Sequence, residues 1–399
     1  MLIAIALGLS DFFTSRVPQL QRILYVVGAF AIYFLFTIKY FYGPDMLHYY
    51  NYYYWAPTPY DAIVHSDKYF FEPGYTILCS LLLDWNIPFY WFTAIISSIY
   101  FFAVFLLFRY IPHHRLFALM ILVCLDYSLI FAAFRQCLSV SFFLLMVIAL
   151  KNKHLIPALL CALLTMVMHK SGTFVVGISV AFFLIKGKTM PQWLYPSLLL
   201  LLAVLLLLPM SRILVSLSSL LHLPTQIMYS ITHHLGLGKQ VQTVFLLYLM
   251  LLLCLSHYQQ YVHTRLTTIA SFVVIGILLI VLLYQSYYLL NRLRSYFLPL
   301  IIVYVFRLVQ QTEHTPIPYG RLLVQTAIAV VFIYLGYHAY TFNKAAQQMQ
   351  YKIYTACTVF DVIGKNNTKQ VQQRQLELAE KWWKTDFKKG LKQNRVTSL

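Results

Sequence analysis

Charged side chains are scarce in this 399-residue chain, where they make up 11% of the residues while 60% are hydrophobic. A soluble globular domain has about 25% charged and about 45–50% apolar residues, so the composition excludes an ordinary soluble fold. Acidic residues are especially few, because 12 Asp and Glu stand against 30 Lys and Arg. The basic excess is spread between apolar runs, which is typical of cytoplasmic loops and does not indicate a nucleic-acid partner.

Motifs for nucleotide, zinc or nicotinamide chemistry are also missing. The chain has no Walker-type glycine loop, no GxSxG, no HExxH and no dinucleotide fingerprint. Its adjacent histidine pairs, at 113–114 and 233–234, lack a carboxylate at metal-ligand spacing. Five of the six cysteines lie in apolar runs, where buried small hydrophobic residues are the expected interpretation. We therefore predict no metal and no cofactor.

Long apolar runs determine the predicted fold class. A spanning helix needs about 20 apolar residues, and backbone polar groups in lipid must pair within their own segment. The runs therefore predict an all-α, polytopic integral membrane protein with roughly 10–13 membrane helices. The candidate segments are residues 22–41, 88–108, 116–133, 134–150, 155–168, 173–185, 194–208, 241–256, 267–283, 296–306 and 322–340.

Charge divides the chain into two regions. Residues 1–340 form the predicted helical membrane domain, and residues 341–399 form a polar tail with 11 Lys and Arg against 4 Asp and Glu. Basic loops indicate the cytoplasmic side, whereas loop 43–72, with four acidic residues and one lysine, is predicted to be external. In the tail, residues 371–392 are predicted to be either an interfacial helix or a solvated segment.

Loop 43–72 is rich in aromatic residues, with the run YYNYYYW at residues 49–55. Tyrosine and tryptophan also form the interfacial belts of membrane proteins. Their flat apolar faces and polar edges suit contact with sugar rings as well. The run therefore predicts either belt and core residues or a glycan-contact surface, with Tyr49, Tyr53 and Trp55 as the candidates.

Two carboxylates, Asp45 and Glu72, flank this loop. Glu72 precedes Pro73 at the predicted start of an apolar helix, where the helix dipole favours a carboxylate. Capping of that helix is one interpretation. The other is general-base catalysis, because partial burial can raise the pKa of a carboxyl group toward the working range.

Basic residues at the predicted outer ends of apolar helices form a second group of candidates. Arg135, Arg292 and Arg294 lie beside apolar spans, where a charge either snorkels to lipid head groups or marks a functional site. Because arginine forks match phosphate oxygens, three of them on one membrane face suit a lipid-linked pyrophosphate. His169, next to Lys170 at a turn between short helices, is either a core residue or a hydrogen-bonding or acid/base group.

These residues occur in short motifs in a fixed order. They are GPDxxxY at 43–49, EPGY at 72–75, FRQ at 134–136, HKS at 169–171, and an arginine at 292 before YF at 296–297. The ordered set resembles the EpsG family of Wzy-type bacterial exopolysaccharide polymerases over residues 39–300. The chain departs from the family pattern where Lys39 stands in place of an arginine before the first motif.

The resemblance implies a fold similar to membrane glycosyltransferases of the GT-C-like class. It implies a metal-independent transfer of a growing glycan from undecaprenyl pyrophosphate to the non-reducing end of a lipid-linked repeat unit. The reaction would take place at the outer face of the bacterial plasma (inner) membrane, in exopolysaccharide or O-antigen synthesis. The implied partners are undecaprenyl-pyrophosphate-linked oligosaccharides, the lipid bilayer, and a chain-length regulator or flippase.

Within this scheme each candidate residue receives a role. The predicted catalytic residues are Asp45, Glu72 and His169. The predicted pyrophosphate-binding residues are Arg135, Arg292, Arg294 and Lys170. The predicted glycan-binding residues are Tyr49, Tyr53, Trp55 and Gln136.

Two other functions remain open from the residues. A membrane-bound O-acyltransferase that modifies polysaccharide would also use a histidine in an apolar helix, and His169 would be that residue. A transporter of lipid-linked oligosaccharide would show paired broken helices and often an internal duplication, neither of which is evident here. The acidic, tyrosine-rich loop and the three outer arginines favour the polymerase.

Overall fold

The fold of the chain is helical, as the apolar runs predicted. The computed structural model describes residues 17–40, 46–65, 71–183 and 287–313, together with Lys68, Tyr69, residues 357–358 and a few isolated positions. Helices account for most of these residues, so the all-α class is confirmed. The predicted segments at 194–208, 241–256 and 322–340 lie outside the described residues, as does most of 267–283.

The described helices follow one another closely from the first span to residue 183. In chain order they are α1 (Pro18–Thr37), α2 (Met46–Tyr54), α3 (Pro59–Val64), α4 (Pro73–Asp84), α5 (Phe89–Phe108), α6 (Arg115–Ala132), α7 (Phe134–Lys151), α8 (Leu155–Met168), α9 (Lys170–Phe183) and α10 (Tyr287–Glu313). Loop 43–72 therefore contains two helices, α2 and α3. The predicted short span at 296–306 is part of α10, which has 27 residues.

A two-residue antiparallel pairing accompanies the helices. Strand β1 (Lys39–Tyr40) follows α1 and pairs with β2 (Cys357–Thr358), with Lys39 opposite Thr358. The tail that we predicted to be separate thus contributes a contact to the end of the first span. The interfacial helix considered for residues 371–392 lies outside the described residues, apart from the isolated position Glu377.

Three of the described helices, α1, α5 and α7, are long and apolar enough to cross a membrane. Only 22% of the spanning window of α1 is buried in the protein, against 67% for α7. The exposed face of α1 includes the apolar residues Val26, Val27 and Phe30, while the polar residues Gln19 and Arg22 are exposed near its start. Exposure of an apolar surface of this extent to water is unfavourable. That face therefore contacts lipid, and the protein is integral to the membrane.

Helix α7 is central among the described helices, since it packs against α5, α6, α8, α9 and α10. Its residues Cys137, Leu138, Val140 and Phe143 are fully buried. Its buried polar side chain Ser141 donates to the backbone carbonyl of Cys137 at 2.7 Å, so its hydroxyl is satisfied within the helix. Helix α7 is therefore the element that connects the other described helices.

Helix α6 is kinked at Asp126, whose backbone is not helical (φ −125°, ψ 25°). Residues of α10 insert at this kink, a recognised cause of helix bending. Arg294 donates to the carbonyl of Leu125 at 2.8 Å, and Ser295 donates to Asp126 Oδ1 at 2.8 Å. Arg294 Nη2 also lies 3.9 Å from the buried Asp126 carboxylate. Arg294 thus stabilises the helix packing, which differs from the pyrophosphate contact that we expected of it.

The Asp126–Arg294 pair leads to a stability prediction. Arg294→Ala leaves a buried carboxylate without its counter-charge, which should lower the free energy of unfolding by about 3–5 kcal/mol. Thermal unfolding of the purified protein in detergent measures the change. The double variant Arg294→Ala/Asp126→Asn should recover part of the loss, because the buried charge is gone. Arg307→Ala, further along α10, is the matched control, and equal destabilisation by both arginine variants would contradict the prediction.

Candidate active site

Glu72 and Arg135 form an ion pair at the start of α7. Arg135 Nη1 donates to Glu72 Oε2 at 2.5 Å. The carboxylate side chain is 6% exposed and the arginine side chain is 20% exposed, so the pair is largely removed from water. The guanidinium carbon also lies 4.1 Å from the centroid of the Phe71 ring, within the range of a cation–π contact.

The second oxygen of Glu72 bonds to another helix. Glu72 precedes α4, but its side chain makes no capping hydrogen bond to that helix. Its Oε1 instead accepts the backbone N–H of Lys170, the first residue of α9, at 3.2 Å. The dipole of α9 favours a carboxylate at this position. The interpretation of Glu72 as a cap of its own helix is therefore wrong, because its carboxylate joins α7 to α9.

These contacts determine the protonation of Glu72. Burial raises the pKa of its carboxyl group, but the charge of Arg135, together with hydrogen bonds, has the larger opposite effect, so the pKa lies below its usual value. The raised pKa that we expected is therefore wrong. A carboxylate with a lowered pKa is a weak base at neutral pH, and this one orients Arg135.

His169 is the break between α8 and α9, where the backbone is extended (φ −159°, ψ 136°). Its ring is buried, and Nδ1 accepts the backbone N–H of Ser171 at 3.1 Å. Ser171 Oγ lies 2.6 Å from the same nitrogen. Since a backbone N–H can only donate, Nδ1 carries no proton and the neutral ring holds its proton on Nε2.

The surroundings of His169 also keep the ring neutral. Burial lowers its pKa, Glu72 raises it, and the positive charges of Arg292, Arg135 and Lys170 lower it again, to about 4. At neutral pH the ring is therefore a neutral hydrogen-bond donor through Nε2. A protonated imidazolium acting as a general acid does not fit these surroundings.

A chain of hydroxyl groups holds His169 in place. Ser171 Oγ lies 3.0 Å from the Tyr296 hydroxyl, which donates to Ser139 Oγ at 2.7 Å. Ser139 in turn donates to the backbone carbonyl of Thr165 at 2.7 Å. The chain connects α9, α10, α7 and α8. Our sequence reasoning assigned these residues no role, although two of them, Ser171 and Tyr296, belong to the motifs HKS and YF.

Two glycines allow the helices to approach this closely. A Cβ atom at Gly74 in α4 would lie 2.7 Å from Val167 Cγ2 and 2.9 Å from the Val167 carbonyl oxygen. A Cβ atom at Gly172 in α9 would collide with the Thr165 carbonyl and lie 2.5 Å from Ser139 Oγ. Glycine at these positions therefore brings the starts of α4 and α9 against α8 and α7.

The other predicted polar residues lie at different places. Arg292 is close enough to His169 for its charge to lower the histidine pKa, and Lys170 is exposed beside them. Gln136 is buried and donates to the Arg292 backbone carbonyl at 2.7 Å. It therefore joins α7 to α10 and is not positioned for the glycan contact that we expected. Asp45 lies outside the described residues.

The aromatic candidates are divided between core and surface. Tyr49 is buried, with its ring 5.2 Å from that of Phe134, and Tyr53 is buried with its hydroxyl donating to the Ile87 carbonyl at 2.5 Å. Both are core residues, so their buried positions do not fit the glycan contact that we predicted for them. Trp55, in contrast, is 86% exposed.

The assembled site is suited to an anion. Helices α4, α7 and α9 all begin at the Glu72–Arg135 pair, and the N-terminal ends of helices carry partial positive charge. Arg135 Nε is buried and has no hydrogen-bond partner among the described residues. Among the residues that the structure describes, no group of three or more His, Cys, Asp or Glu side chains could hold a metal ion.

Comparison with known proteins identifies one related family. Residues 22–355 match the model of the EpsG family. No curated protein and no solved structure matches the chain. The Glu72–Arg135 pair, His169 and the hydroxyl chain all lie within the matched residues.

Substitution of Gly172 tests the close helix approach. Gly172→Ala places a methyl group against the Thr165 carbonyl and Ser139, so α9 must shift, which should destabilise the protein by about 1–3 kcal/mol. Gly177→Ala in the same helix is the matched control, because a Cβ there meets nothing within 4 Å. The control should unfold at the wild-type temperature or slightly higher, since alanine is the better helix former. If the two variants have the same stability, the close approach is not required.

The lowered pKa of His169 predicts a pH dependence of stability. Its folded pKa is about 4 and its ordinary value is 6.5, so the unfolded chain binds the extra proton between these two pH values. The corresponding stability is present above pH 6.5 and is lost as the pH falls toward 4. His169→Asn should therefore flatten the fall in unfolding temperature over this range, whereas His154→Asn, at an exposed position, should not. Parallel curves for wild type and His169→Asn would contradict the lowered pKa.

Proposed function

Because the chain belongs to the EpsG family, we propose that it is a polysaccharide polymerase of the membrane. It transfers a growing glycan from undecaprenyl pyrophosphate to the non-reducing end of a lipid-linked repeat unit. The observation that carries the proposal is Arg135, fixed by Glu72 beside a neutral His169 where three helices begin. This arrangement supports a site for the pyrophosphate of the lipid-linked donor.

The proposed chemistry is departure of the lipid pyrophosphate. Negative charge develops on the leaving phosphate oxygen as its bond to the anomeric carbon breaks. Preorganised donors aimed at developing charge usually make the largest catalytic contribution. Arg135, Arg292 and the helix N-termini supply positive charge, and His169 supplies a neutral N–H donor. No nucleotide is required, because the pyrophosphate already activates the donor sugar.

The acceptor hydroxyl forms the new bond to the anomeric carbon and releases a proton. Glu72 is a weak candidate for the base, because both of its oxygens already accept hydrogen bonds and its pKa is lowered. Its role in this proposal is to position Arg135. Asp45 then remains the candidate base.

The location of the reaction follows from the predicted topology. Acidic loop 43–72 was predicted to be external, and Glu72 lies at its end. The proposed active site therefore faces the periplasm or the exterior, at the plasma (inner) membrane. A flippase that delivers the lipid-linked units, and a chain-length regulator, are its proposed partners.

The protonation of His169 distinguishes this proposal from an O-acyltransferase. An acyltransferase histidine removes a proton from the acceptor hydroxyl and needs an unprotonated ring nitrogen facing it. In His169, Nδ1 already accepts the backbone N–H of Ser171 and Nε2 carries the proton. This arrangement favours a donor role over a base role.

Substitution of Arg135 tests the proposed function. Arg135→Ala should reduce chain elongation by about 100- to 1000-fold, the effect of removing a preorganised donor, while single repeat units accumulate on the lipid. Arg135→Lys should also elongate poorly, because an ammonium group cannot bind Glu72 and a phosphate in the same fork. Gel analysis of glycan length and mass spectrometry of the lipid-linked units measure both effects.

Arg109→Ala is the matched control for these variants. Arg109 is an exposed arginine after α5, in a loop predicted to be cytoplasmic, and its removal should leave glycan length unchanged. All variants are compared at equal membrane abundance. Long glycan in the Arg135→Ala strain would rule out the proposed role of this arginine.

A further inference from the structure

An open cavity of about 220 Å³ lies beside the candidate active site. It is lined by His48, Asn51, Tyr52, Trp55 and Phe71. The first four are spaced at i, i+3, i+4 and i+7, so they share one face of α2 and its last turn. The helical hydrogen-bond pattern extends to Trp55, since its backbone N–H donates to the Asn51 backbone carbonyl at 3.1 Å.

The opposite face of α2 belongs to the protein core. Met46, Tyr49 and Tyr53 on that face are buried. The cavity face, in contrast, leaves Trp55 86% exposed, although tryptophan has one of the largest apolar surfaces of any side chain. The helix therefore separates aromatic residues that hold the fold from aromatic residues that remain available to a ligand.

Phe71 connects the cavity to the ion pair. The guanidinium carbon of Arg135 lies 4.1 Å from the centroid of the Phe71 ring. Phe71 also directly precedes Glu72 in the chain. It also contacts the Tyr52 ring, with 4.3 Å between the centroids. A molecule in the cavity therefore touches the same aromatic ring that supports Arg135.

We propose that this cavity is a sugar subsite that binds one pyranose ring near the reacting end of the lipid-linked glycan. The identity of the ligand rests on the proposed function. Aromatic faces stack on the apolar C–H faces of a sugar, while the exposed Asn51 amide offers hydrogen bonds to hydroxyl groups. The volume is below the roughly 300–1,000 Å³ of pockets for drug-sized ligands, so it suits a single ring.

The residue types around the cavity differ from those on the lipid-facing surface of α1. The lipid-facing surface of α1 consists of residues such as Val26, Val27 and Phe30, without polar side chains between them. The cavity face combines aromatic rings with an amide and an imidazole. Residues of this kind bind a ligand that has both apolar faces and hydroxyl edges.

The experiment measures sugar binding directly. The repeat-unit oligosaccharide, released by mild acid from the lipid-linked units of the Arg135→Ala strain, is titrated into purified full-length protein and followed by calorimetry. Trp55→Ala should weaken binding about tenfold, and Asn51→Ala should weaken it severalfold. Because both side chains are exposed, neither substitution should impair folding. In elongation assays, Trp55→Ala should raise KM and change kcat little.

Tyr60→Ala is the matched control, because Tyr60 is an aromatic residue 72% exposed on α3 and outside the cavity lining. It should bind the oligosaccharide as the wild type does. Unchanged sugar affinity in both Trp55→Ala and Asn51→Ala overturns the subsite. Weaker binding of short-chain phosphatidylglycerol to detergent-solubilised Trp55→Ala, with sugar affinity intact, assigns the cavity to lipid and also overturns the subsite.

The subsite and the proposed function fail in different ways. If the Arg135→Ala strain is inactive while both cavity variants keep wild-type sugar affinity, the subsite is wrong and the polymerase proposal stands. If the Arg135→Ala strain still makes long glycan, the polymerase site is wrong whatever the cavity binds. Because the identity of the ligand rests on the proposed function, the subsite proposal then falls with the site.

Discussion

The buried ion pair between Glu72 and Arg135 is the interaction on which the rest of the site depends. A charge in a water-poor interior is tolerated only when a counter-charge and hydrogen bonds offset its lost hydration. The carboxylate meets that requirement with the guanidinium of α7 and the first N–H of α9. Three chain segments far apart in sequence are therefore held together at one point, and each charge fixes the position of the other.

The same pair determines which chemistry the site can perform. Burial, together with the positive charges of Arg292 and Arg135, lowers the pKa of His169 and keeps the ring neutral, and the backbone N–H of Ser171 determines which nitrogen carries its proton. Because Arg135 holds Glu72 ionised, that carboxylate is a poor proton acceptor. The site is thus organised for electrostatic stabilisation of an anion. Proton transfer requires a group other than these three, which is consistent with a separate base such as Asp45.

The features that could be predicted from the sequence are those visible without knowledge of packing. Apolar length gave the all-α membrane fold, and charges inside apolar surroundings singled out Glu72, Arg135 and His169, which the structure brings together. The direction in which the Glu72 pKa shifts could not be predicted, because burial raises this pKa and Arg135 lowers it. The balance depends on how closely the arginine approaches the carboxylate, which the sequence does not show. Helices α2 and α3 were missed because they are short and lack the long apolar runs by which the other helices were predicted.

Helix geometry explains why the remaining assignments differed. Residues two apart on a helix point in nearly opposite directions, so Arg292 and Arg294 could not both face one ligand. Arg292 lies on the side of His169, and Arg294 faces the kink of α6. The same rule separates Tyr49 and Tyr53, in the core, from Asn51 and Trp55, at the cavity. The sequence shows which residue types a helix contains. Which of them reach the ligand depends on which face the neighbouring helices cover, and only the assembled bundle determines that face.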